Sequence, residues 1–194
     1  MTSPPLIGED VTMKIYLILC LMLMTQTIGA KLMKLETATL AGGCFWGMEE
    51  IIRNIPGVIK TTVGYTGGKV ENPNYEIVKL GTSNHAESVQ IEFDANKLSF
   101  TELLGFFFRM HDPTTLNQQG NDKGTQYRSV IFYHSKEQKQ LALETIKKIN
   151  DSKKWPRPIV TEVVEVSKFY PAEDYHQDYL QKNPNGYTCH WLRN

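Results

Sequence analysis

The segment that decides the fold is Thr37-Ala-Thr-Leu-Ala-Gly-Gly-Cys-Phe-Trp-Gly-Met48. Residues 37–40 are typical of a short strand, which leads through two glycines into a helix. Apolar residues at helical spacing indicate that helix until Pro56-Gly57 ends it: Met48, Ile51, Ile52 and Ile55. Cys44 therefore lies at the junction between a strand and a helix.

Strands and helices interleave along the rest of the chain. Residues 87–94 alternate strictly, which predicts a strand with Glu87, Val89, Ile91 and Phe93 on one face. Ser99 and Glu102 predict a capping box at a helix start. Further strands are predicted at 58–63, 129–134 and 159–169, and further helices at 135–150 and 172–181. We expect a single α+β domain with a mixed central sheet, helices packed on it, a long loop at 111–126 and an irregular C-terminal tail.

Composition limits the classes of partner. The chain has 194 residues, of which 41% are hydrophobic, so one ordinary globular core is expected. Lysine plus arginine equals aspartate plus glutamate at 21 each, so no field of one sign exists to attract nucleic acid or an acidic membrane. We expect a monomer that binds neither.

The N-terminal residues differ from the rest. Met13-Lys14 precedes an uncharged apolar run at 15–24, and Gly29-Ala30 supplies small residues at its exit. This pattern is typical of a secretory signal peptide, and the run is shorter than the roughly 20 residues of a membrane span. We predict a signal peptide at 1–30, cleaved after Ala30, and an exported domain at 31–194, periplasmic or secreted.

Two alternatives stay open at this end of the chain. Glu9 and Asp10 do not suit the basic start of a signal, so translation begins either at Met13 or at Met1 with an extension. A signal that is not cleaved would leave the protein anchored in the membrane.

Removal of residues 1–30 leaves two cysteines, Cys44 and Cys189. Such a pair in an oxidising compartment is most often a structural disulfide, and a buried unreactive cysteine is also common. The surroundings of Cys44 favour a reactive thiol instead. Two preceding glycines allow unusual backbone conformations and the close approach of a ligand. A helix N-terminus favours an anion and lowers a thiol pKa. Phe45 and Trp46 are placed to form an apolar wall beside the sulfur.

Glu87 is a candidate general acid. Alternation places its carboxyl on the apolar face of its strand, where burial disfavours the charged form and raises the pKa. Such a group is protonated near neutral pH and can protonate a leaving oxygen, as a sulfoxide requires. The alternative is that the strand has already ended and Glu87 is solvated at its rim.

Four segments together resemble the methionine sulfoxide reductase A family. They are Gly43-Cys-Phe-Trp-Gly47, His85-Ala-Glu87, Gly120-Asn-Asp-Lys-Gly-Thr-Gln-Tyr127, and Ala172-Glu-Asp-Tyr-His176 followed by Asn185-Gly-Tyr-Thr-Cys189. They occur in family order, and the similarity covers about residues 36–192. One departure stands beside the acid, because Asn84 occupies a position where glycine is usual.

The resemblance implies a role for each matching residue on the substrate side. Cys44 is the nucleophile on the sulfoxide sulfur of the S epimer, and Glu87 protonates the sulfoxide oxygen. Tyr75 and Tyr127 donate hydrogen bonds to that oxygen. Phe45 and Trp46 hold the terminal methyl group, and Asp122 organises the network around the substrate.

The resemblance also implies how the enzyme is recycled. When methionine departs, Cys44 is left as a sulfenic acid. This sulfenic acid then condenses with Cys189 to form a disulfide. A thioredoxin-like protein then reduces that disulfide.

No metal or cofactor is expected. The histidines show no zinc-finger or zincin spacing and no CxxC pair exists, so each is interpreted as a packing or surface residue: His85, His111, His134, His176 and His190. A secreted, non-enzymatic binding module with a structural Cys44–Cys189 disulfide is the alternative function.

Overall fold

The computed structural model describes residues 32–194, and Met33–Asn194 form one compact unit. The predicted signal peptide lies outside the described residues. The strands are β1 Leu35–Gly42, β2 Val58–Thr66, β3 Ala86–Asp94, β4 Gln118–Gln119, β5 Asp122–Lys123, β6 Ser129–Tyr133, β7 Glu162–Glu165 and β8 Tyr170–Pro171. The helices are α1 Phe45–Arg53, α2 Tyr75–Val78, α3 Phe100–Met110, α4 Lys136–Ser152 and α5 Tyr179–Lys182, with a 3-10 turn at Thr125–Tyr127.

The main sheet has the strand order β7-β6-β1-β3-β2-β8. β1 lies inside it, because it pairs antiparallel with β3 on one side and with β6 on the other. β7 adds to β6 in parallel, which makes the sheet mixed and confirms the predicted α+β class. Leu40 lies opposite Val89, so the end of β1 runs beside the start of β3. This register carries Cys44 and Glu87 to the same end of the sheet.

The buried face predicted for β3 is confirmed, because Val89, Ile91 and Phe93 are fully buried. On the other face Gln90 and Glu92 are partly exposed, but Ser88 and Asp94 at its two ends are buried as well. The apolar faces of α1 and α3 join the same core, with Met48, Ile52, Leu104 and Phe107 buried. Each such side chain contributes roughly 1.5–3 kcal/mol on leaving water. The core therefore holds α1, and with it the residue at its start, firmly on the sheet.

The helix starts predicted at Ser99 and Ser135 are also confirmed. The Ser99 hydroxyl accepts from the Glu102 backbone, and the Glu102 carboxylate accepts from the Ser99 backbone, which completes the capping box of α3. The Ser135 hydroxyl caps α4 in the same way by accepting from the Gln138 N–H. These bonds satisfy backbone donors that the first helical turn leaves free.

The prediction of one long strand at 159–169 is wrong. The segment forms only β7, at the β6 edge, and the chain then pairs as β8 with β2 at the opposite edge. A flat sheet of six strands is about 24 Å wide at about 4.8 Å per strand, whereas the link from Glu165 to Tyr170 spans at most about 18 Å. The sheet therefore curls strongly, and residues 166–169 cross between its edges.

Three further boundaries differ from the prediction. The loop at 111–126 contains a hairpin, β4–β5, and most of the 3-10 turn. β2 continues through Gly64 and Tyr65 to Thr66, because these residues pair with β3. The helix predicted at 172–181 begins only at Tyr179, because Asp178 has a left-handed backbone with φ 55°. Among residues 32–194, no helix has the length and apolar character needed to cross a membrane.

Candidate active site

Cys44 occupies the N-cap position of α1, directly after the glycine turn that follows β1. Gly43 has φ +110°, a conformation that residues with a side chain rarely adopt, so the turn depends on glycine. Cys44 is 6% exposed, which shields its thiol from most of the solvent. The predicted place of Cys44, between a strand and a helix, is confirmed.

Glu87 is the buried acid beside this thiol. Its side chain is 2% exposed, and its Oε2 accepts a hydrogen bond of 3.1 Å from the backbone N–H of Phe45 at the start of α1. Burial raises the pKa of Glu87 to about 8, although the Phe45 N–H acts against the rise. The carboxyl is therefore mostly protonated at neutral pH. The core-facing prediction is confirmed, and the solvated alternative is wrong.

The prediction of a lowered Cys44 pKa is wrong. Burial raises the pKa of the Cys44 thiol well above its usual range, and a charged Glu87 adds to the rise, while the Trp46 backbone N–H lowers it. The removal of the sulfur from water outweighs the helix terminus, whose dipole contributes only about 0.3–1 kcal/mol at an exposed site. Cys44 therefore rests as a neutral thiol.

Two phenols lie within electrostatic reach of Cys44 and Glu87. Tyr75 begins α2, and Tyr127 ends the 3-10 turn. Burial raises the pKa of each phenol, and charge on Glu87 and Cys44 adds to the rise. Both tyrosines therefore keep their hydroxyl proton and can donate a hydrogen bond. The structure brings these four predicted residues together.

Phe45 and Trp46 form an aromatic surface with His176. Phe45 is buried, and the half-buried Trp46 ring stacks on Tyr179 with ring centres 3.8 Å apart. The Trp46 indole N–H donates to His176 Nδ1 at 3.0 Å, which fixes the orientation of the indole ring. Sequence reasoning interpreted His176 only as a packing or surface residue. Two features of the sequence could have indicated a role for His176. It belongs to the Ala172–His176 motif, and a partly buried tryptophan N–H such as that of Trp46 requires a hydrogen-bond acceptor.

Glu173 was also missed. Its carboxylate accepts hydrogen bonds from the Tyr65 hydroxyl at 3.0 Å and from the Tyr75 backbone N–H at 2.9 Å. It also faces His176 Nε2 at 3.8 Å. Glu173 therefore connects the start of α2, which carries Tyr75, to the histidine that holds Trp46.

Cys189 lies in the irregular tail, partly buried. Its Sγ–H donates to Asp122 Oδ2 at 3.2 Å, and the Tyr187 hydroxyl donates to the same oxygen at 3.1 Å. Burial and then this hydrogen bond raise the pKa of Cys189 to about 12, whereas the backbone N–H of Cys44 lowers it. Cys189 is therefore already beside Cys44, and both cysteines are free thiols. The structure also places Asp122, predicted on the substrate side, against Cys189.

Gly43 and Gly47, on either side of Cys44, leave space that other segments of the chain occupy. A Cβ on Gly43 would lie 2.6 Å from the Gln119 side chain, and a Cβ on Gly47 would lie 2.8 Å from His190 Nδ1. Real Cβ atoms do not approach other atoms so closely. The long loop and the C-terminal tail are therefore the groups that approach Gly43 and Gly47, and the close approach of a ligand at Gly42 and Gly43 stays a prediction.

Asn84 adopts the conformation that glycine would. Its φ of 58° lies in the left-handed region, which asparagine tolerates better than most residues. The backbone just before Glu87 is therefore compatible with this departure from the family pattern.

His85 and His111 form hydrogen bonds to backbone groups and to one hydroxyl. His85 accepts from the Gly68 N–H and contacts the Val70 carbonyl, while His111 bridges the Phe107 carbonyl and the Ser129 hydroxyl. Across the described part of the chain, no group of three or more His, Cys, Asp or Glu residues is placed to hold a metal ion.

Comparison with known sequences agrees with this geometry. Residues 36–194 match the family described as peptide methionine sulfoxide reductase. The chain is 57% identical over 158 residues to peptide methionine sulfoxide reductase MsrA 2 of Rhodopirellula baltica, which covers 81% of this chain and 92% of that relative.

Solved structures are similar as well. The reduced form of Mxr1 from Saccharomyces cerevisiae has a TM-score of 0.78 and 39% identity, over 84% of this chain and 98% of that one. Mxr1 in complex with Trx2 has a TM-score of 0.58 and 27% identity, over 87% and 97% of the two chains.

Proposed function

The chain belongs to the peptide methionine sulfoxide reductase A family, and from that premise we propose that Cys44 attacks the sulfur of the S epimer of methionine sulfoxide, free or in proteins. The protein is a thiol-dependent oxidoreductase that returns methionine sulfoxide to methionine and so repairs oxidised protein. The observation that carries the proposal is a buried neutral thiol, Cys44, beside a buried carboxyl that is protonated at neutral pH, Glu87.

The chemical step moves one oxygen atom between two sulfurs. Cys44 Sγ attacks the sulfoxide sulfur while Glu87 gives its proton to the sulfoxide oxygen, and the thiol proton passes to the Glu87 carboxylate. The bond between the two sulfurs then breaks as the protonated oxygen moves from the methionine sulfur to Cys44 Sγ. Methionine leaves, Cys44 is left as a sulfenic acid, and Glu87 ends as it began. A neutral thiol is compatible with this exchange, because the carboxyl gives one proton and receives another.

The surrounding residues position the sulfoxide. Tyr75 and Tyr127 donate hydrogen bonds to its oxygen, for which their raised pKa values suit them. Phe45 and Trp46 contact its terminal methyl group, and His176 keeps the Trp46 ring in place. Asp122 contributes to the network around Glu87, whose pKa its charge raises.

Recycling uses the second cysteine. The Cys189 sulfur attacks the Cys44 sulfenic acid, the S–O bond breaks, a disulfide forms and water leaves. The reductant of that disulfide is a thioredoxin-like protein, a proposal supported by the similarity to Mxr1 as solved with Trx2. The protein acts as a monomer and needs no metal or cofactor.

Turnover of each methionine sulfoxide epimer by the purified chain, residues 31–194, tests the function. We expect the S epimer alone to be consumed, with loss of two thiols for each methionine released when no reductant is present. Thiol titration and chromatography of free methionine measure both quantities. No methionine release, with a Cys44–Cys189 disulfide present throughout, would support the binding module instead.

We also propose export, for which the pattern at 13–30 is the support. Cleavage is expected after Ala30, because small residues precede that bond and the apolar run is too short to span a membrane comfortably. Mass spectrometry of the protein from its native host measures the mature N-terminus. An N-terminus at residue 1 or 13 would contradict cleavage and leave an anchored protein or one that is not exported.

A further inference from the structure

The chain beyond Cys189 is fastened to the body of the protein at two places. The first is His190, which is buried and whose Nε2–H donates to the Gly42 carbonyl at 2.8 Å. A carbonyl only accepts, so the ring proton is on Nε2 and Nδ1 is left as an acceptor. That Nδ1 faces Cys189 Sγ at 3.4 Å. His190 thus joins the turn before Cys44 to the thiol of Cys189.

The second is Arg193. Its backbone N–H donates to the Arg109 carbonyl at 3.0 Å, and the Arg109 side chain donates back to the Arg193 carbonyl at 2.6 Å. The Arg193 guanidinium lies over two indole rings, 5.5 Å from the centre of Trp155 and 4.3 Å from that of Trp191. These contacts hold the tail against the end of α3, away from Cys44.

Cys189 depends on contacts outside its own segment, because residues 183–194 contain no helix or strand. The His190 N–H donates to Thr188 Oγ1 at 3.1 Å within the segment, but the thiol itself is held by Asp122 from the long loop. A reacting group on an untethered segment samples many positions, and its effective concentration falls accordingly. Gly43 and Gly47 leave the space in which the segment around His190 sits.

We propose that residues 190–194, the C-terminal anchor, hold the Cys189 thiol at Cys44, and that His190 and Arg193 are positioning residues of the recycling step. The inference rests on the proposed function. In that step the S–S bond forms as the S–O bond of the Cys44 sulfenic acid breaks. The Cys189 proton passes to Asp122 Oδ2, the nearer acceptor, and from there to the leaving hydroxide, which departs as water and returns Asp122 to its starting form. The anchor affects how fast this step follows methionine release, and not the release itself.

Arg193→Ala tests the anchor in the full mature chain. Single-turnover release of methionine is expected to match the unmodified chain, because Arg193 contacts neither Cys44 nor Glu87. Disulfide formation is expected to slow about tenfold, since the variant loses both cation–π contacts and the hydrogen bond of 3.2 Å from the Arg193 side chain to the Arg109 carbonyl. A dimedone-type reagent should trap correspondingly more Cys44 sulfenic acid. Turnover with thioredoxin should fall, while turnover with dithiothreitol, which can attack the sulfenic acid directly, should persist.

Three further variants sharpen the result. Arg193→Lys keeps a cation over the indoles and should recover most of the rate. A chain that ends at His190 loses every contact of Arg193, the backbone bonds to Arg109 included, and should be slower than Arg193→Ala. Lys154→Ala, on the same groove as Arg193, is the matched control and should leave both rates unchanged.

If the rate of disulfide formation in both Arg193→Ala and the shortened chain is within twofold of that in the unmodified chain, the proposed role of the C-terminal anchor is wrong. The proposed reductase function would not be affected by that result. Loss of methionine release in Arg193→Ala would show that the tail supports the site as a whole, which also overturns a role confined to recycling. A failure of the unmodified chain to release methionine would overturn the proposed function itself.

Discussion

Cys44→Ser is expected to abolish the release of even the first methionine, whereas Cys189→Ser is expected to release about one methionine per chain in a single turnover. The reason is that only Cys44 lies against the protonated Glu87, at the start of α1. Serine at position 44 offers a hydroxyl, which is a far weaker nucleophile than sulfur at neutral pH. Rapid-quench measurement of free methionine compares the two variants.

The fate of Cys44 separates the roles of the two cysteines further. In Cys189→Ser the sulfenic acid has no partner, so a dimedone-type reagent should label Cys44, and steady-state turnover with a thioredoxin-like reductant should collapse. Loss of the first methionine in a folded Cys189→Ser protein would show that the two roles are assigned wrongly. A full steady-state rate in that variant would mean direct reduction of the sulfenic acid, which leaves Cys189 without a part in recycling.

Glu87→Gln is expected to slow the reduction step by about 10–10³-fold, because general acid catalysis contributes roughly 10²–10⁴-fold and glutamine still donates a hydrogen bond. Glutamine also keeps an oxygen to accept from the Phe45 N–H, so the helix start is preserved. Single-turnover methionine release measures the effect. A rate within twofold of the unmodified chain would exclude Glu87 as the acid.

The pH profile provides a second measurement of the same role. The acid works in its protonated form, and its pKa is about 8, so the single-turnover rate should be high below pH 8 and fall as pH rises through that value. In Glu87→Gln this descending limb should be absent. A profile with the same limb in the variant would assign the titration to another group.

Glu49→Gln is the matched control for this variant. Glu49 is another buried carboxyl with a pKa raised by burial, but its partners are Thr61, Arg53 and the backbone of Asp178. We expect its methionine release to stay within a few-fold of the unmodified chain. An equal loss in both variants would mean that any change of a buried carboxyl near α1 damages the site.

Much of the fold could be predicted because it depends on short-range patterns. The alternation at 87–94 identified the buried face of β3, since side chains on a strand point to opposite faces in turn. Ser99 and Glu102 marked the start of α3, because a capping box lies within four residues of one helix end. The strand, glycine turn and helix around Cys44 placed the thiol at their junction. The same alternation identified Glu87 as a buried acid.

The remainder depended on contacts between distant parts of the chain. The segment at 159–169 carries a strand pattern along its length, but only the tertiary structure decides that one part pairs with β6 and that the chain then joins β2. Asp122 and Cys189 are 67 positions apart, and no local pattern indicates their hydrogen bond. The links from His176 to Trp46 and from His190 to Gly42 are equally non-local.

The acidity of Cys44 illustrates the difference between the two levels. The sequence by itself determined that a thiol stands at the N-terminus of a helix beside aromatic residues, and that a carboxyl on a separate strand faces the core; the pairing of β1 with β3 brings the two together. The sequence did not determine the direction of the pKa shift. That direction depends on how completely every surrounding segment excludes water from the sulfur, and desolvation is the sum of all those contacts. Only the packed structure brings the sheet, the long loop and the tail around Cys44, and their combined burial outweighs the one helix terminus behind it.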